Sequence, residues 1–182
     1  MVDGRSKGLQ FERDQARTIS LWVSNNQNKN LLWRSAASGG RATAGHGVQY
    51  GDLCAADSDW QGVEFIRNFC VELKRIREIN PIKLLTNPKD ELMGWWIKNW
   101  ILSEKFGVNP LLIVKVDFID PYWIFESDQG MNLARSFNIP YFVAENEKIN
   151  ICGINQKALM SFNWSNIRTR LQEIGYYPVV LQ

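Results

Sequence analysis

The sequence predicts an α/β domain in which helices flank a mixed β-sheet. Three observations predict it. Helical and strand patterns follow one another in the order helix, three strands, helix, further strands. Two late runs, PLLIVKVDF and YWIFESD, are rich in the branched and aromatic residues that strands favour. Between the two strand groups stands a well-signalled helix, opened by Asn87, Pro88, Asp90 and Glu91 and stopped at Gly107.

Each element has its own signal. Phe11, Ile19, Trp22 and Val23 recur at near-helical spacing, which predicts a first helix over about residues 9–24. NNQNKN is a polar connector, and LLWRSAAS reads as a first strand. GGRATAGHGVQYG, rich in glycine and small residues, reads as a mobile loop. DLCAAD reads as a second strand, SDWQG as a turn and FIRNFCVELKR as a third strand. IREINPIKLLT is irregular. The central helix runs through ELMGWWIKNWILSEKF, YFVAENEKINICGI reads as a late hairpin and NWSNIRTRLQEIG as a closing helix.

At 182 residues the chain suits a single domain spanning 1–182 with a sizeable core. Hydrophobic residues make up 45% and charged residues 22%, the balance of an ordinary soluble globular protein. Lysines and arginines number 21 against 19 acids, so the net charge is only +2. A local basic face can still hide in a total this small. The eight tryptophans promise an aromatic core or an aromatic contact surface. Cys54, Cys70 and Cys152 form no CxxC pair, which argues against a disulfide framework and a zinc site and fits a reducing cytoplasm. The N-terminal MVDGRSKGLQFERDQ lacks an apolar signal-peptide core. The most apolar stretch, LMGWWIKNWIL, is short and broken by Lys98 and Asn99, so no membrane span is expected.

Chemistry concentrates in the stretch from Gly51 to Arg75. On a strand, Glu72 and Lys74 share one face while Phe69, Val71 and Leu73 point into the core. Asp52 opens the preceding strand, and a hairpin would bring its carboxylate beside Glu72. Two carboxylates and the main-chain oxygen of Leu73 between Glu72 and Lys74 form an oxygen-only donor set suited to Mg²⁺. Such an ion makes a nucleophile of its bound water, and Lys74 can orient that water or neutralise developing charge. The set suits phosphodiester hydrolysis. The triplet alone is weak evidence, since a Glu-x-Lys is expected roughly once in a chain of this size.

The surrounding motifs sharpen it. KGLQFERDQ on the first helix, WRSAASGGR on the first strand, GDLCAAD and CVELKR stand in sequence order. Together with PLLIVKVDFIDPYWIFE they resemble the archaeal-type Holliday-junction resolvases of the PD-(D/E)xK nuclease superfamily, over roughly residues 6–126. The chain also resembles phage-borne nucleases built on the same plan. The resemblance implies a restriction-endonuclease-like mixed central sheet flanked by helices. It implies a Mg²⁺-dependent endonuclease, with Mn²⁺ able to substitute, that cleaves branched DNA. Asp52 and Glu72 would be the main metal ligands, Glu12 would approach the metal from the first helix, and Lys74 would be the catalytic lysine. Arg13, Arg34 and Ser38 would sit near the scissile phosphate or the DNA backbone. Lys7, Ser35, Arg41 and Arg75 complete the expected DNA-facing set. The single histidine, His46, lies in the glycine-rich loop, where a DNA contact suits it better than catalysis.

This chain departs from the family pattern in length. GGRATAGHGVQYG looks inserted, the Asp52-to-Glu72 spacing is longer, and the part from about residue 141 to 182 extends the family's usual end. Other DNA substrates, such as flaps, ends, duplex or a restriction site, stand as alternatives to a junction. So does a non-catalytic nucleic-acid-binding protein of the same fold, although such a protein has no need of Asp52, Glu72 and Lys74 together. LMGWWIKNWIL is apolar around most of its helical circumference, which predicts a partner contact and, with symmetric nicking in view, a two-fold homodimer.

Overall fold

The chain folds around two sheets. A computed structural model describes residues 4–35, 49–55, 60–78, 91–146 and 149–176. Helix α1 (Gly4–Val23) leads into a small antiparallel sheet of β1 (Leu32–Arg34), β2 (Gln49–Tyr50) and β3 (Leu53–Ala55), in the order β1-β3-β2. Helix α2 (Trp60–Asn68) then delivers the chain to β4 (Phe69–Ile76). Helix α3 (Glu91–Phe106) precedes β5 (Asn109–Val116) and β6 (Tyr122–Glu126). Helix α4 (Ser127–Ser136), the hairpin β7 (Tyr141–Asn146) and β8 (Ile149–Asn155), short α5 (Gln156–Leu159) and α6 (Trp164–Glu173) follow. The larger sheet has the order β4-β5-β6-β8-β7, with β4 parallel to β5 and the other pairs antiparallel. The expected α/β class with a mixed, helix-flanked sheet is therefore present.

β5 explains the layering. It is buried on both faces, which is why its sequence is continuously apolar rather than alternating. Leu111 and Ile113 face a large core with Phe11, Ile19, Phe65, Trp123, Leu133 and Ile167. Leu112 and Val114 face a smaller core closed by Leu92, Met93 and Trp96 of α3. Trp96 is buried, whereas Trp100, Ile101 and Phe106 on the same helix stay exposed. None of the helices among the described residues is long and apolar enough to cross a membrane.

Several elements differ from the sequence expectation. α1 begins at Gly4 rather than near residue 9, and it ends where Asn25 and Asn26 adopt positive φ, a conformation asparagine tolerates better than most residues. Ser58 and Asp59 of the expected turn SDWQG lie outside the described residues, but from Trp60 onward the turn and the start of the expected third strand are instead α2. Gly62, Phe65 and Ile66 supply its buried face at helical spacing, and the strand begins only at Phe69. The two run together in sequence because no glycine or proline separates Phe65 and Ile66 of the helix from Phe69 and Val71 of the strand. The end of YWIFESD likewise turns into α4, which no sequence signal predicted. Gly130, Asn132 and Ser136 are weak helix formers, and packing rather than propensity holds them there. Asn87, Pro88 and Asp90 lie outside the described residues, but Gly107 ends α3 with φ +66°, as its position predicts.

Candidate active site

β4 is the ruler for the site. Val71 and Leu73 are buried in the large core, and alternation turns Glu72 and Lys74 to the opposite face, toward α3. Their side chains form an ion pair. Asp52 reaches them by a different route from the expected hairpin. The α2 crossover makes the Gly51–Asp52 segment run parallel to β4, bridging Gly51 to Val71. The Asp52 N–H donates to the Val71 carbonyl at 2.7 Å. Gly51 permits this with φ +87°, and a Cβ there would lie 2.3 Å from the Val71 oxygen.

The carboxylate of Asp52 then lies along the edge of β4 that faces away from β5. Its Oδ2 accepts the Leu73 N–H at 2.8 Å, and Lys74 Nζ is 3.9 Å away. The N–H and C=O of one extended residue leave a strand on the same edge, so the Leu73 carbonyl points to the Asp52 side as well. Asp52 is only 6% exposed. Burial, then the charge of Glu72, raise its pKa to about 6, against the opposing Leu73 N–H and Lys74. Glu12 adds a smaller upward push, so it stands within electrostatic reach. Its own carboxylate is paired with Arg34 of β1.

The donor chemistry fits a hard divalent cation. Asp52, Glu72 and the Leu73 carbonyl offer oxygen alone, and the geometry gathers their negative charge around one ammonium. Among the described residues, however, no three acidic, histidine or cysteine side chains cluster closely enough to hold a metal. Glu12 thus sits near the expected ligands but engaged with Arg34.

The expected DNA-facing residues are distributed unevenly. Lys7 and Arg13 are exposed on α1. Arg75 is exposed at the end of β4, where it bonds Asp117 at 2.9 Å and holds that carboxyl below its ordinary range. Ser35 is fully buried, and its N–H donates to the Asp52 carbonyl at 2.8 Å, so it ties β1 to the acidic residue. Ser38, Arg41 and His46 lie outside the described residues. One neighbour of the site stands outside the expected set. Trp95 of α3 places its ring centroid 6.0 Å from Lys74 Nζ. Its signal was there, since Trp95 broadens the helix's apolar face beyond one contact, but only the tertiary packing says which charge it meets. A cleft of about 320 Å³ lined by Trp96, Trp100, Glu126 and Asp128 includes none of the predicted site residues.

No curated protein matches the chain in sequence. Among solved structures it is similar to Hjc of Archaeoglobus fulgidus, a Holliday junction resolvase from an archaeal hyperthermophile, at 15% identity. That likeness covers 89% of this chain and 95% of that one, with a TM-score of 0.35. Residues 3–173 match the family model described as "Phage putative PDDEXK endonuclease", and by that match over nearly its whole length the chain belongs to this PDDEXK endonuclease family.

Proposed function

We propose that the protein is a divalent-metal-dependent DNA endonuclease, with Mg²⁺ as its ion and four-way junctions as its preferred substrate. The observation that carries the reading is the convergence of Asp52, Glu72 and Lys74 at the β4 edge in a chain of an endonuclease family. A cation held by Asp52, Glu72 and the Leu73 carbonyl would supply an activated water and neutralise charge on the phosphate. Lys74 then orients the attacking water or stabilises the developing negative charge. Lys7 and Arg13 offer exposed cations on α1 for the DNA backbone. Junction preference is supported by the ordered motifs from Lys7 to Glu126 that resemble resolvases, and a two-fold dimer would supply the paired nicks it needs.

The test is cleavage of end-labelled four-way junction, three-way junction, flap, linear duplex and single strand, with Mg²⁺ and with EDTA. The expected result is metal-dependent cleavage, fastest on the four-way junction. Equal cleavage of all duplex-containing substrates would remove the junction preference, and no cleavage of any substrate with Mg²⁺ or Mn²⁺ would remove the endonuclease reading.

A further inference from the structure

β7 forms one edge of the five-stranded sheet, and among the described residues no strand pairs with its outer side. An open edge presents a row of unpaired N–H and C=O groups, which proteins normally blunt with lysine, proline or a covering element. The sequence of β7, YFVAEN, contains neither lysine nor proline. Tyr141, Phe142 and Val143 remain 37%, 37% and 41% exposed.

We propose that this edge pairs with β7 of a second copy of the chain, antiparallel, across a two-fold axis normal to the sheet at Val143. Two sheets would merge into one. A two-fold axis in that direction keeps each face of the sheet continuous, and this register sets Tyr141 opposite Glu145, Phe142 opposite Ala144, and Val143 opposite itself. The pairs are complementary in size and charge. On one face the large Phe142, which packs on Tyr122, meets the small Ala144. On the other face, Arg135 of α4 donates from Nε to Tyr141 Oη at 3.1 Å and lies 5.9 Å from its ring. The exposed Glu145 of the second copy arrives at that guanidinium, and symmetry makes the ion pair twice. The edge residue that disfavours pairing with an arbitrary acidic strand thus favours pairing with its own kind.

The pairing goes beyond the endonuclease reading and can fail without it, because Glu72 and Lys74 lie on β4 at the opposite edge of the sheet. Sedimentation velocity of the full chain across the micromolar range tests it, with far-UV circular dichroism checking the fold of each variant. The wild type is expected to dimerise. Val143→Pro, which removes a donor at the axis, is expected to be monomeric. Glu145→Arg and Arg135→Glu should each weaken the dimer about tenfold or more, and the double variant Arg135→Glu/Glu145→Arg should recover it. If Val143→Pro fails to fold, the two exposed charge reversals and their double variant decide alone. A wild type that stays monomeric, a dimer indifferent to both reversals, or a double variant as weak as the singles would each overturn the proposal. Plasmid nicking by Glu145→Arg, measured alongside with Mg²⁺, reads the endonuclease activity separately.

Discussion

Burial and the adjacent Glu72 carboxylate lift the Asp52 pKa to about 6, whereas an unfolded aspartate ionises at about 3.9. The folded state thus favours the protonated form. Its stabilising contribution is full below about pH 4, falls as the pH rises through about 6, and is absent above. Asp52→Asn keeps an oxygen to accept the Leu73 N–H and carries no charge. The metal-free variant should therefore exceed the wild type in stability at pH 8, by on the order of 2–3 kcal/mol, and match it near pH 4. Thermal melts in EDTA at the two pH values check this, and an equal difference at both would count against a buried, charge-strained Asp52. In nicking assays, Asp52→Asn and Glu72→Gln should each lower Mg²⁺-dependent cleavage by roughly 10²-fold or more while DNA binding, read by fluorescence anisotropy, persists. Full cleavage by Glu72→Gln would be incompatible with the proposed site. That Glu72 and Lys74 share a face was legible in the sequence, because strand alternation is a local rule. The seat of Asp52 is legible only as proximity, since the parallel crossover that brings it there depends on α2, where the sequence carries turn and strand signals.

The Gly51 bridge shows how an element boundary controls the site. Its φ of +87° and its approach to the Val71 carbonyl leave no room for a side chain. Gly51→Ala should lower stability by about 2–4 kcal/mol, through backbone strain and a clash that only a shift of β3 away from β4 relieves. Because that shift carries Asp52 with it, cleavage should fall as far as in Asp52→Asn. Denaturant midpoints and nicking rates measure the two effects, and a variant with wild-type values in both would show that the β3–β4 junction has slack. The elements that were easiest to read have strong local codes. α3 has a loaded first turn and a glycine stop, and β5 is apolar on both faces. α4 had no such code. Its Gly130 is required because a Cβ there would lie 2.5 Å from Cys152 Cβ on β8, a contact between residues far apart in sequence. The restriction-endonuclease-like expectation anticipated the mixed sheet, whereas the helix that follows β6 emerges only from packing.

From the sequence, the part from about residue 141 to 182 looks like an extension of a shorter plan. The sheet gives it a central place. β8 is hydrogen-bonded between β6 and β7, pairing Trp123 with Ile154 and Phe125 with Cys152. Trp22 Nε1 reaches across to the Phe162 carbonyl at 2.8 Å, and Trp164 packs edge-on against Trp22 and Phe65. Trp164, Ile167 and Leu171 of α6 are buried in the large core that also supports the back of β4. A chain ending at Pro140 would expose one side of β6 and uncover Trp22, Phe65 and Trp123. Loss of several such side chains, each worth about 1.5–3 kcal/mol on burial, is as large as the 5–15 kcal/mol that stabilises a typical domain. The truncated chain should therefore fail to fold, with a collapsed near-ultraviolet dichroism spectrum, strong binding of a hydrophobic dye and no nicking activity. A soluble fragment ending at residue 140 that melts cooperatively and nicks DNA would instead make residues 141–182 an independent addition to a complete nuclease.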